Sequence, residues 1–396
     1  MLRLARWAAI ALAGRLGDRL GMGSELPCDP SAMLEALFGR RIYPARWFSD
    51  ELRDTLPPAK LAMIVEGLVA QFGPLQAVRS SPNNHVVELE RGFVRVMFAM
   101  DLSGRLTRLH FSTASPRFDS LDEAAAAFRK LPGDLSLLVR RDDRPVCAIE
   151  PERVMAVGSA FKLAIMSVLA RQVASGRLAW TELVPLKPDW HSLPSGVLQD
   201  WPDGLPLSVE TLACLMISIS DNTATTALLE LVGRDQVEAV APGCCPFLSP
   251  REFFILKSMQ AKEQRRRYLA TDIAGKRQVL SELRGMELPH NSEVLSFASH
   301  EIEWRFSAYQ LCNLLREVAV LPALHINPGL ADRQDWRSVA FKGGSDTGVL
   351  SLNTWLERAD GVTWCISAIW NNDRPINSES LYRLYMALID LLRRLP

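Results

Sequence analysis

Ser159-Ala160-Phe161-Lys162 is the stretch on which the fold of this chain turns. At the start of a helix, residues three apart share a face, so the Lys162 amine can reach the Ser159 hydroxyl. A serine hydroxyl is a weak nucleophile until a base takes its proton, and an amine desolvated by its neighbours can be that base. The helix dipole also favours negative charge developing at this end. Serine and lysine are common, and about one chance S-x-x-K is expected in a chain this long. The tetrapeptide decides nothing alone.

Two further short patterns follow it in order. Ser220-Asp221-Asn222 lies between two helical stretches. Its hydroxyl could relay a proton to a leaving group while the Asn222 amide binds an amide of the substrate. The same tripeptide also reads as an ordinary helix N-cap. Lys342-Gly343-Gly344 precedes a strand expected to begin near Val349. Glycines at a strand edge let a ligand backbone approach closely, and a lysine there can hold a carboxylate. In isolation it reads equally as a turn.

Composition narrows the classes of function. The 396 residues are 48% apolar and 23% charged, with 45 acidic and 45 basic side chains. That length allows two domains with a core each, and the charge balance points to no polyanionic partner. The short basic run Arg265-Arg266-Arg267 reads as a solvated helix face rather than a nucleic-acid surface. Seven cysteines, Cys28, Cys147, Cys214, Cys244, Cys245, Cys312 and Cys365, form no disulfide framework, and neither they nor the six histidines show metal-ligand spacing. No metal and no cofactor is expected. In the N-terminal segment, 1–29, Arg3 and Arg6 precede a short apolar stretch ending in Ala11-Leu12-Ala13. It reads either as a weak signal peptide or as an amphipathic helix, which leaves export or a cytoplasmic location open. No stretch reaches the ~18 uninterrupted apolar residues of a membrane span.

Texture changes along the chain. Residues 30–112 begin with helical patterns at Pro30 to Phe38 and Ala59 to Phe72. Alternating stretches follow at His85 to Leu89, Phe93 to Phe98 and Arg105 to Phe111, which suggests a small α+β domain with a curved antiparallel sheet. Residues 113–120 have linker composition. From Leu121 to the C-terminus the order is a helix, a hairpin turning at Asp142-Asp143-Arg144-Pro145, a long helix from Ser159 to Ala174 and a helical block. Two strands and a final helix from Ser378 to Leu392 close it. Both ends of 121–396 could then share one antiparallel sheet flanked by helices, an α/β (α+β) arrangement.

S-x-x-K, S-D-N and K-[ST]-G in that order form the signature of class A β-lactamases and penicillin-binding proteins. Here they stand about sixty and about 120 residues apart. From Leu121 to the C-terminus, roughly 70% of the chain, the sequence resembles the class A β-lactamase-like serine hydrolases. Ser220 to Gly233 (SDNTATTALLELVG) is similar to the family's helix after S-D-N. The resemblance implies a β-lactamase/transpeptidase-like fold, Ser159 as acylated nucleophile and Lys162 as its base or base relay. It implies Ser220 as proton shuttle, Asn222 as a substrate-amide contact and Lys342, in K-x-Gly344, as anchor for a carboxylate. The oxyanion would be held by the backbone N–H groups of Ser159 and Ser345. Residues 30–112 resemble, in length and element order, the cone-shaped NTF2 or steroid-isomerase fold that some relatives place before this domain.

Two departures qualify the resemblance. Gly343 stands where the family has Thr or Ser, and the missing hydroxyl should weaken binding of ordinary penicillins by about 1 to 3 kcal/mol. The family's E-x-x-L-N, whose Glu activates the hydrolytic water, has no counterpart; Glu252 is the nearest carboxylate, and no Leu-Asn follows it. Glu252 reads either as a deacylating base or as a first-turn helix residue favoured by the dipole. The expectation is a serine hydrolase that forms an acyl-enzyme on a β-lactam, ester or related small carbonyl substrate and is slow on penicillins. The alternatives are a D-Ala-D-Ala carboxypeptidase or a non-catalytic binding or sensor module; retention of Ser159, Lys162, Ser220 and Asn222 argues against a dead site.

Overall fold

The computed structural model describes residues 29–39, 43–81 and 84–396, so the N-terminal segment with its signal-peptide reading lies outside the described residues. The chain divides into two compact units, Met1–Ser120 with Tyr382–Pro396, and Leu121–Leu381.

In the first unit, helices α1 (Pro30–Gly39), α2 (Asp50–Thr55) and α3 (Pro58–Phe72) precede strands β1 (Leu75–Ser81), β2 (Asn84–Leu89), β3 (Gly92–Met100) and β4 (Leu106–Phe111). Ser49 caps α2 through its side chain, and Pro58 opens α3, where a missing N–H costs nothing. The strands form an antiparallel sheet in the order β1-β2-β3-β4. Met33, Leu34 and Leu37 from α1, Leu61 and Val65 from α3, and Val87, Val94 and Val96 from the sheet are buried in one core. The stretch expected as linker is not free of structure: β5 (Ser115–Pro116) pairs with Gly92 and Phe93 of β3. The boundary expected at the C-terminus also shifts. Arg383 Nε donates to Ala114 O at 2.9 Å and Arg394 Nη2 to Phe118 O at 2.6 Å. These bonds tie the end of the chain to the first unit rather than to 121–396.

The second unit opens with α4 (Leu121–Phe128), β6 (Asp134–Arg141), β7 (Arg144–Ile149), the short β8 (Met155–Ala156) and α5 (Lys162–Ala174). Then come β9 (Leu183–Pro185), β10 (Pro206–Ser208), α6 (Val209–Ser218), α7 (Asn222–Val232), α8 (Arg234–Val240), α9 (Pro250–Leu256), α10 (Lys262–Ala270) and α11 (Ile273–Leu283). The unit closes through β11 (Arg305–Phe306), α12 (Ala308–Val318), α13 (Pro322–His325), β12 (Ser338–Asp346), β13 (Val349–Glu357), β14 (Thr363–Asn371) and the start of α14 (Ser378–Arg394). The main sheet is antiparallel in the order β12-β13-β14-β6-β7, so strands from both ends of the unit meet at β14 and β6. Both residues of the β6–β7 turn, Asp142 and Asp143, have positive φ, as a two-residue hairpin of the twisted kind requires. The central strands β13 and β14 are buried almost throughout because both faces are covered, and Ser351, Asn353, Thr354 and Ser367 are buried among their apolar residues.

Three expectations need correction. Within the helical block, Glu252 to Tyr268 has the pattern of a single helix, but the chain breaks after α9, where Ser258 forms an isolated bridge with Val294. The helix expected to start at Ser159 starts at Lys162, after a tighter turn from Gly158 to Phe161. Lys342-Gly343-Gly344 does not precede a strand but lies inside β12, paired with Asn353, Leu352 and Ser351 of β13. Two glycines read as a turn from sequence; here they mark close approach of backbone.

Candidate active site

Short β8 delivers the chain to Ser159. Asn371 at the end of β14 grips Ala156 on both sides, accepting from its N–H and donating to its carbonyl, each at 2.9 Å. Val157 N–H donates to Trp304 O at 3.0 Å. Gly158 then turns with φ of 50°, and a Cβ there would lie 2.7 Å from Ser345 N, so only glycine fits. The tight turn eclipses positions three apart, which brings Lys162 Nζ within 3.2 Å of Ser159 Oγ. Ser159 is half-exposed, whereas Lys162 is fully buried.

Lys162 Nζ also lies 2.6 Å from Ser220 O, 2.9 Å from Ser220 Oγ and 2.8 Å from Asn222 Oδ1. An ammonium has three protons for these four oxygens. A neutral amine can give its two protons to the pure acceptors, Ser220 O and Asn222 Oδ1, and keep its lone pair for a hydroxyl proton. Burial, with the neighbouring Lys342 charge adding to it, holds the Lys162 amine well below its usual pKa, against the opposing pull of Asp221. The surroundings favour the form that can act as a base.

Ser220-Asp221-Asn222 carries the helix cap expected of it and places Ser220 and Asn222 beside Lys162. Asp221 caps α7 by accepting from Ala224 N–H at 2.8 Å. Its other oxygen accepts from Val197 N–H at 2.7 Å and Leu198 N–H at 3.0 Å, and Gly196 leaves room for that carboxylate. Ser220 has φ of 59°, an unfavourable region for a residue with a Cβ, and this aims its hydroxyl at Lys162. Asn222 Nδ2 donates to Leu193 O at 2.9 Å, which fixes the amide and leaves its second proton free. Residues 193–198, framing this wall through Leu193, Ser195 and Asp221, carry no sequence signal beyond the turn-forming Ser195-Gly196 pair.

Lys342, also buried, completes the cluster from β12, with Nζ 3.1 Å from Ser220 Oγ and 2.6 Å from Gly343 O. Burial brings its pKa down to about 7. Its carbonyl accepts from the buried Asn353 at 3.0 Å, which holds the strand in register beneath the site. A Cβ on Gly344 would lie 2.2 Å from Val157 O, 2.5 Å from Ala160 N and 2.6 Å from Ser159 N. The strand therefore presses directly against the turn that carries Ser159, and the N–H groups of Ser159 and Ser345 belong to the two segments in contact.

The Phe341 ring crowds the place where a side chain on Gly343 would stand. A Cβ there would meet Phe341 Cζ at 2.9 Å, and the same ring fills the space a Cβ on Gly329 would need, at 2.5 Å. Installing the hydroxyl by Gly343→Thr is therefore expected to leave the rate of acylation by benzylpenicillin unimproved. Adding Phe341→Val should release a gain of about tenfold, the lower part of a 1–3 kcal/mol hydrogen bond to a charged group. Second-order rate constants for the single and double variants check this.

Glu252 is not brought to the cluster. Its carboxylate pairs with Arg234 at 2.8 and 2.9 Å and accepts from Ser249 N–H at 2.8 Å, closing a capping box on α9. It lines a separate cavity of about 480 Å³, whose wall includes none of Ser159, Lys162, Ser220, Asn222 or Lys342. The first-turn reading describes this residue, and the deacylating one has no geometric support. Among the described residues no group of three or more His, Cys, Asp or Glu could hold a metal ion, and no helix is long and apolar enough to cross a membrane.

Residues 120–243 match the family model described as the β-lactamase enzyme family. The match covers Ser159, Lys162, Ser220 and Asn222 and stops before α9, α10 and α11. With the S-x-x-K, S-D-N and K-G-G groups gathered as above, the second unit has a β-lactamase-like serine hydrolase fold. Solved structures similar to it include a β-lactamase from Sphaerobacter thermophilus, 21% identical over 70% of this chain and 98% of its own, with a TM-score of 0.49. PBP-A is 14% identical over 69% of this chain and 96% of its own, with a TM-score of 0.47. A β-lactamase from Chitinophaga pinensis is 17% identical over 68% and 96%, also with a TM-score of 0.47. No curated protein matches the chain.

Proposed function

We propose that the second unit is a serine hydrolase that forms an acyl-enzyme at Ser159 with a β-lactam, ester or related small carbonyl compound and releases it slowly. The observation that carries this reading is the buried Lys162 amine, within hydrogen-bonding reach of two hydroxyls from separate segments. Ser159 Oγ attacks the carbonyl carbon as its proton passes to Lys162 Nζ, and the oxyanion forms between the N–H groups of Ser159 and Ser345. Collapse breaks the bond to the leaving nitrogen or oxygen, which takes the proton relayed from Lys162 through Ser220. Asn222 offers its free amide proton to an amide of the substrate. Lys342 holds a carboxylate when charged.

Deacylation is where the site is poorest. Among the described residues the carboxylate whose charge bears on Lys162 is Asp221, and its oxygens are taken by three backbone N–H groups. Water attacking the ester lacks the carboxylate base that fast turnover uses. This favours, as second reading, a penicillin-binding role in which the adduct persists.

Intact-mass time courses with benzylpenicillin and with p-nitrophenyl acetate test the proposal. A persistent penicilloyl adduct on the Ser159 peptide is expected. Lys342 is charged below a pKa of about 7 and neutral above it, so capture of the carboxylate-bearing penicillin should weaken as pH rises through that value. The neutral ester needs no anchor and should not share that loss. Adduct formation with neither probe at any pH would leave only a binding module.

A further inference from the structure

A second set of buried ionisable groups lies immediately beyond Ser345. Lys257, at the C-terminal end of α9, is 2% exposed, and its Nζ pairs with the carboxylate of Asp346, the last residue of β12. Ser299 Oγ donates to the same carboxylate oxygen at 3.5 Å. Glu303 is buried against Asp346, and no side chain donates to its oxygens while both groups are ionised. A proton on Glu303 turns that contact into a hydrogen bond and leaves one cation facing one anion.

The cluster touches both halves of the oxyanion site. Asp346 directly follows Ser345. Glu303 directly precedes Trp304, whose carbonyl holds Val157 N–H and whose ring stacks on Phe161 at 3.7 Å between centroids. From these contacts we infer that Lys257, Asp346 and Glu303 form an ionic staple that positions the Ser159 and Ser345 N–H groups relative to one another. This rests on the acyl-serine reading above and gives α9 a role in it, because the residue that caps its C-terminal end supplies the cation.

The staple is sensitive to pH in a defined direction. The charged groups facing Glu303 are Asp346 from β12 and Lys257 from α9. Burial, then the Asp346 charge and the shared proton, raise the Glu303 pKa well above the carboxylate range, with Lys257 and the backbone N–H of Trp304 opposing. The shift favours the protonated form. Its ionisation would put two negative charges against one positive charge in a buried site and push the end of β12 outward. The unfolded chain loses this proton first, so stability is lost as pH rises from the ordinary carboxylate range toward the folded pKa.

Lys257→Met and Glu303→Gln test the staple together. Lys257→Met should lower the acylation rate with p-nitrophenyl acetate at least tenfold while the half-saturating concentration stays within twofold. Glu303→Gln, which cannot ionise, should keep its acylation rate at alkaline pH where wild type declines, and its melting temperature should fall less with rising pH. Should Lys257→Met fail to fold, the Glu303→Gln comparison decides alone. Wild-type rates in folded Lys257→Met, or matching pH profiles and melting curves for Glu303→Gln and wild type, would overturn the inference. If wild type takes no acyl group at all, the acyl-serine reading falls, and the melting comparison still judges the Glu303 proton.

Discussion

Replacing Lys162 with Met is expected to slow acylation of Ser159 by about a thousandfold, within the 10²–10⁴ range of a positioned general base. Methionine keeps the unbranched shape of the side chain, one atom shorter, and removes the amine. Ser159 then loses the group at 3.2 Å that takes its proton, and Ser220 loses its partner at 2.9 Å, so attack and leaving-group protonation fail together. Stability should change much less than activity. Asn222 Oδ1 loses its donor, costing about 1–3 kcal/mol if it is left dry, while Ser220 O keeps the Ser195 hydroxyl at 2.8 Å. Against this, an amine whose charge was disfavoured by burial no longer has to be desolvated. Burst kinetics with p-nitrophenyl acetate beside a melting curve separate the two effects. A rate near that of wild type in a folded variant would show that Lys162 is not the base.

Gly344→Ala should be nearly as damaging, for a steric reason. One methyl group would sit 2.2–2.6 Å from three backbone atoms of the nucleophile turn, none of them the far end of a flexible side chain. The strand and the turn must part by several tenths of an ångström or more, and the N–H groups of Ser159 and Ser345 part with them. Removing one oxyanion donor typically costs about 10²–10³ in rate, and this change disturbs both. Overpacking should also lower stability by about 1–3 kcal/mol. Acylation rates and thermal unfolding of the variant check both numbers. Unchanged acylation would mean that neither N–H takes part.

Much of the candidate site was legible because its chemistry is written in short runs. Ser159 and Lys162 need only one turn of backbone to meet, and Ser220 and Asn222 flank a capping aspartate whose requirement for a helix start is itself local. Lys342 was legible as a residue but not as a strand residue, since Gly343 and Gly344 erase the alternation that reveals β12. Strand β1, Leu75–Ser81, was missed because its mix of apolar and polar residues shows no clean period, and α2 because six residues make too short a pattern. Lys257, Asp346 and Glu303 carried no signal at all. Charged residues far apart in sequence read as surface until the fold buries them against one another.

The position of Lys162 has one more consequence. Its four oxygen partners come from the turn at 159 and the loop at 220–222, while the cation that helps depress its pKa arrives on the edge strand at 342. The cluster draws on residues spread over 184 positions, from Ser159 to Lys342. In the proposed mechanism Ser159 is therefore acylable only once β12 has docked, and partial melting of the domain is expected to silence it before the whole fold is lost.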